Sequence, residues 1–182
     1  MKKIVWTYGL IAGTIVSVAM LVGITLMTGP DGKVNMDGGA VFGYTSMIVA
    51  LSLIFFGIRS YRDKHLGGKI SFGKAFTIGL LITLIASVMY VATWMICYHT
   101  TDMGNHFMQQ YADHMRTTMQ SSGATEAQIA AEMKKNEEFM KNYENNPLVM
   151  FGATLMEVFP VGLVISLISS FFLKRKAIKE LT

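Results

Sequence analysis

A carboxylate and a proline stand inside an uncharged run. In LMEVFPVGL, residues 155–163, Glu157 lies three positions before Pro160, and no other charge occurs from Leu148 to Leu173. A bare carboxylate in apolar surroundings costs at least about 2.5 kcal/mol, so the group there holds a proton, a cation or a hydrogen bond. Pro160 has no N–H, which frees the carbonyl of Met156 and predicts a kink with an acceptor beside the carboxyl. Carboxyls next to broken helices hold protons and cations in many transporters. The plainer alternative is a neutral Glu157 hydrogen-bonded to hydroxyls of neighbouring helices, with Ser17, Ser46, Thr83 and Ser87 as candidates. No other apolar run carries a charge, so a proton relay would lack further stations.

A second constellation follows the third apolar run: His99, Asp102, His106 and Asp113-His114, with Met103, Met108, Met115 and Met119 among them. His99, Asp102 and His106 share a face if the helix continues, because i, i+3 and i+7 are neighbours. Imidazole with thioether is a copper-like set. Against a metal site, Gly104 interrupts the pattern, no HxxxH or CxxC pair exists, and the methionines fall on stripes needed for packing. Cys97 is the single cysteine, so no intramolecular disulfide forms. There is no nucleophile elbow, Walker loop or GxGxxG, and Gly67-Gly68-Lys69 reads as a flexible turn. The expectation is a protein that is not an enzyme and needs no cofactor.

The elements that must position these residues are set by hydropathy. The chain has 182 residues, 52% hydrophobic and 15% charged, with a mean hydropathy of +0.41. Soluble domains carry about a quarter charged residues. Four apolar runs, at 4–27, 40–58, 75–98 and 148–173, each reach or approach the roughly 20 residues that span a bilayer. Hydrocarbon offers no partner to a bare peptide group, so the runs must be helices. Met1-Lys2-Lys3 resembles the start of a signal peptide, with Ser17-Val18-Ala19 as a cleavage site. The run continues well past Ala19, longer than an ordinary signal core, which favours a retained helix. Rise per residue puts Glu157 roughly 15 Å into the fourth run, near mid-bilayer.

Charge sets orientation. Lys2 and Lys3, the segment with Arg59, Arg62, Lys64, Lys69 and Lys74, and the tail with Lys174, Arg175, Lys176 and Lys179 hold most of the 16 basic residues. The other two connections are acidic on balance. This alternation places both termini in the cytoplasm. Trp6, Tyr8, Trp94 and Tyr98 sit near run ends, as interfacial rings do. Arg59, Arg62, Lys64, Lys174, Arg175 and Lys176 are expected to meet anionic headgroups, so the net charge of +4 does not call for nucleic acid.

The long connection before the fourth run is patterned. Phe107, Tyr111, Met115 and Met119 recur every four residues; SSG at 121–123 breaks the helix; Thr125 and Gln128 have capping-box spacing; Ile129, Met133, Met140 and Tyr143 mark a second apolar face. This predicts an extracytoplasmic helical hairpin over about 105–145. Its stripes are expected to pack on each other or on the bundle, the alternative being a groove for a membrane or periplasmic protein partner. Gly9, Gly13 and Ser17, Gly39 and Gly43, and Ala75 and Gly79 have small-xxx-small spacing, which serves contacts within the bundle or between copies. TYGLIAGTIVSV at 7–18 also matches TIGLLITLIASV at 77–88 in half its positions, weak support for an internal repeat.

The segment 58–80, IRSYRDKHLGGKISFGKAFTIGL, joins a basic helix end to GGKISFGKAF and the next apolar run. With four spans and a charged helical outer segment, the chain resembles the bacterial membrane family catalogued as domain of unknown function 4199, over nearly its whole length. The resemblance implies an integral protein of the bacterial inner membrane and supplies no activity or catalytic residue. The fold expected is all-α, a four-helix transmembrane bundle with the hairpin between helices three and four. The function expected is non-enzymatic, through protein or lipid interactions. A small proton- or ion-coupled carrier centred on Glu157 and Pro160 is the alternative, and an extracytoplasmic metal binder the second.

Overall fold

The computed structural model describes residues 1–29, 35–101 and 103–175, with side chains omitted for 103–107. Among these residues seven helices follow in order: α1 (Lys2–Met27), α2 (Met36–Leu51), α3 (Leu53–His65), α4 (Phe72–Thr100), α5 (Met103–Ser121), α6 (Glu126–Asn145) and α7 (Pro147–Leu173). Four stretches of the described residues are long and apolar enough to cross a membrane: Lys2–Met27, Met36–His65, Phe72–Thr100 and Pro147–Leu173. Each is longer than its apolar run, and in three of them a polar side chain at the start satisfies an open backbone N–H. Asn35 Oδ1 accepts from Gly38 N at 2.9 Å to start α2. Ser71 caps α4, and Asn146 caps α7 with Pro147 in its first turn.

The second crossing stretch is two helices hinged at Ser52. Its hydroxyl donates to the Val49 carbonyl at 2.6 Å, and its backbone N–H is shared between Ile48 and Val49. Serine competing for the preceding turn in this way bends helices. The structure assigns α7 as one helix through Pro160.

α4 is the central helix, packed along α1 on one side and α7 on the other, while α1 also packs on α2 and α3 reaches both α4 and α7. Small residues permit this closeness. A Cβ at Gly9 would lie 2.8 Å from Ile85 Cβ of α4, and one at Gly162 would overlap the Thr83 side chain. Leu51, Ile54, Ile58, Ile78, Ile82 and Val158 are fully buried between these helices.

The two ends of the bundle differ. At one, the turn with Gly67 and Gly68 in left-handed backbone precedes Ile70, whose carbonyl accepts from Arg175 N at 2.9 Å. That bond ties the chain after α7 to the connection between α3 and α4. At the other end lie α5 and α6. The capping box expected at Thr125 and Gln128 is formed, with both reciprocal bonds present. Ile129 and Tyr143 of the expected stripe are buried, and Tyr143 packs with Trp94, Tyr98 and Met150, on the top of the bundle.

Candidate functional site

One face of α4 presents Thr83, Ser87, Tyr90, Trp94 and Tyr98, spaced by three or four residues. Polar groups of α6 and α7 meet this line in sequence. Thr83 Oγ1 lies 3.1 Å from Ser166 Oγ. Tyr90 OH donates to Glu157 Oε2 at 3.3 Å. Trp94 Nε1 donates to Tyr143 OH at 2.6 Å, and Tyr143 OH lies 3.1 Å from Thr154 Oγ1. Tyr98 OH donates to Glu144 Oε1 at 3.1 Å. Burial raises the Tyr143 hydroxyl above the usual phenol range, an effect its bonds to Thr154 and Trp94 partly offset.

Glu157 therefore meets a partner that sequence reasoning passed over. Of the four hydroxyls expected, Thr83 pairs with Ser166, and Ser17 and Ser87 are buried without a hydrogen-bond partner among the described residues. Ser46 donates to the Gly43 carbonyl at 2.8 Å. The signal available was Tyr90 itself, a phenol deep in an apolar helix whose hydroxyl needs a partner. The bond it makes is long for O–H···O, where about 2.7–2.8 Å is typical.

Glu157 keeps accessible surface rather than being sealed in packed protein, and it lines a cavity of about 330 Å³. The walls come from α1 (Val16, Ala19, Met20, Ile24), α2 (Phe42, Ser46, Met47) and α4 (Tyr90, Trp94); Met108, Tyr111 and His114 of α5 and Tyr143 of α6 lie at its other end. Gly39 and Gly43 line it too, and their role differs from the helix contact their spacing suggested. A Cβ at Gly43 would meet nothing within 4 Å, and one at Gly39 only Met27 Cγ at 3.8 Å. The absent side chains leave the space. Pro160 is not among the lining residues. At the α5 end, His114 Nε2 stands 3.5 Å from Asp37 Oδ1, linking α5 to α2.

Of the histidines expected together, the side chains of His99 and His114 are described. His99 is exposed, its ring edge-on to Tyr98 with centroids 5.6 Å apart, while His114 faces Asp37. The side chain of His106 and all of Asp102 lie outside the described residues. Among the described residues no group of three or more His, Cys, Asp or Glu could hold a metal ion. Most of the basic residues expected at headgroups gather at the end opposite α5. Arg59 and Arg62 flank Asp63 at 3.6 and 2.7 Å, Lys64 lies in the last turn of α3, and Lys174 Nζ lies 4.1 Å from the Phe171 ring centroid. Arg175 is bonded to Ile70, and Lys176 lies outside the described residues.

The family described as Protein of unknown function (DUF4199) matches residues 7–175. The chain belongs to this family. The match takes in every helix lining the cavity, so the DUF4199 region contains Glu157, Tyr90 and the α5–α6 connection together. No curated protein and no solved structure matches the chain.

Proposed function

We propose that this DUF4199 protein is a non-enzymatic integral protein of the bacterial inner membrane that acts by holding a small molecule inside its bundle. Both termini lie in the cytoplasm, and α5 and α6 form a helical hairpin on the outer face. The observation that carries this reading is the cavity of about 330 Å³ between α1, α2, α4 and α7, with Glu157 and Tyr90 in its wall and α5 at its end. Small-molecule sites are concave, mostly apolar and marked by a few polar groups, which describes this one. The basic residues at the opposite end, Arg59, Arg62, Lys64, Lys174 and Arg175, support the orientation through their attraction to anionic lipid.

A thiol accessibility experiment tests it. In a Cys97→Ala background, Gly43→Cys should react with a small membrane-impermeant thiol reagent added to whole cells, as should Ser122→Cys. A bulky impermeant reagent should reach Ser122→Cys alone. Reaction at Ser122→Cys without any at Gly43→Cys would remove the cavity from the function. No reaction at Ser122→Cys, with labelling of a cysteine placed after Thr182, would reverse the orientation.

The carrier reading keeps one specific support, the accessible carboxyl of Glu157. It requires that Glu157→Gln abolish a pH-driven flux in proteoliposomes, and unchanged flux ends it.

A further inference from the structure

We infer that the molecule held in the cavity is an organic cation: a protonated amine on an apolar body, with the Glu157 carboxylate as its counter-ion. This rests on the reading above and adds the ligand's chemistry. Size comes first. A cavity of roughly 150 Å³ is enough for benzene, so about 330 Å³ admits a body of some twice that bulk. The walls are aliphatic, methionine and aromatic, which selects an apolar body.

Charge selects the head group. Among the described residues, the titratable groups lining the cavity are Glu157 on α7, Asp37 on α2, His114 on α5, and the phenols Tyr90, Tyr111 and Tyr143, and no Lys or Arg lines it. An anion would meet two carboxyls and, among the described residues, no fixed cation. A neutral head would leave the carboxyl with little more than it has. Among the described residues Tyr90 is its hydrogen-bond partner, at 3.3 Å. An ionised carboxylate has about four acceptor sites. An ammonium supplies three donors and the opposite charge in a medium where that attraction is strong. Phe42, Tyr90, Trp94 and Tyr111 add ring faces on which a cation is favoured.

The same ammonium chemistry has two sources, a free hydrophobic amine or the headgroup of an aminophospholipid. Trp94 provides the readout. The chain has two tryptophans, so in a Trp6→Phe background the emission reports from the cavity wall. Three probes of one shape decide the head group: cyclohexylmethylamine, cyclohexylmethanol and cyclohexanecarboxylate, titrated into the protein in phosphatidylglycerol nanodiscs. The amine should bind at least tenfold more tightly than the alcohol, and the carboxylate more weakly than either. Glu157→Gln should bring amine and alcohol to equal affinity while leaving the alcohol's own affinity nearly unchanged. Gly43→Leu, which fills open space, should weaken both. Repetition in phosphatidylethanolamine nanodiscs separates the sources: apparent amine affinity drops if the lipid's ammonium occupies the site and stays the same if the natural ligand is a free amine.

Equal binding of amine and alcohol by the parent, tighter binding of the carboxylate, or an amine preference that survives Glu157→Gln would each overturn the inference. So would the absence of any response to all three probes. None of these results alters whether Gly43→Cys is reached by a small thiol reagent, so the cavity reading is judged separately.

Discussion

Trp94 Nε1 donates to the hydroxyl of Tyr143 at 2.6 Å, and that hydroxyl lies 3.1 Å from Thr154 Oγ1, so one phenol joins α4, α6 and α7. An indole N–H can only donate, so the Tyr143 oxygen is the acceptor in the first bond, and either hydroxyl can donate in the second. The ring of Tyr143 stands edge-on to Tyr98 at 5.9 Å, and Tyr98 reaches Glu144. This cluster is what fastens α6 over the cavity.

Tyr143→Phe should break the bonds to Trp94 and Thr154 and cost about 1–3 kcal/mol. Hydrogen exchange should rise in α6 before it rises in α4. A double-mutant cycle with Trp94→Phe should return a coupling above about 0.5 kcal/mol. The hydroxyl also has a pH signature. Its affinity for its proton is raised in the fold, so the stabilisation is complete below the ordinary phenol value of about 10 and is lost as pH rises above it. Alkaline denaturation of Tyr143→Phe should therefore be shallower than that of the parent.

Gly162 and Gly43 should respond oppositely to the same change. Gly162→Ala drives a methyl into Thr83 and should cost about 1–3 kcal/mol through separation of α4 from α7. Gly43→Ala enters open space and should be neutral or slightly stabilising, since alanine is the better helix former. Unfolding in mixed micelles measures both.

Ser87 is fully buried and its hydroxyl has no hydrogen-bond partner among the described residues. An unpaired buried hydroxyl costs about 1–3 kcal/mol, so Ser87→Ala should leave the midpoint unchanged or raise it. Ser166→Ala, which breaks the bond to Thr83, should lower it by about 1 kcal/mol. A drop for Ser87→Ala as large as that for Ser166→Ala would reveal a bond to its hydroxyl.

Thr125→Ala removes half of the capping box that begins α6. It should cost about 1 kcal/mol. Exchange should quicken in the first turn of α6, around Ile129, while the amides beyond Met140 keep their protection.

The family and the helical crossings were legible before any coordinates. Asn35, Ser71, Thr125 and Asn146 start their helices by bonds spanning two or three residues, which is why Thr125 and Gln128 could be paired by eye. Ends chosen by hydropathy fell short, since 40–58 became Met36–His65 once Asn35 capped the start and the N–H groups of Leu66 and Gly68 met the Arg62 carbonyl at the end. The spacing of Gly39 and Gly43 suggested a contact and marked a void instead. A small residue permits close approach without causing it.

Apolar run length by itself determined that the helices are long enough to cross a membrane, because the cost of unpaired peptide groups in hydrocarbon acts on each segment alone. It determined as well that Glu157 stands deep in one of them. That the carboxyl meets Tyr90, 67 positions away in the chain, was decided by the tertiary structure. So were the cavity beside it and the bond from Trp94 that holds α6 above it. Such pairings depend on which face each helix turns toward its neighbours, and that follows from the packing of all of them at once.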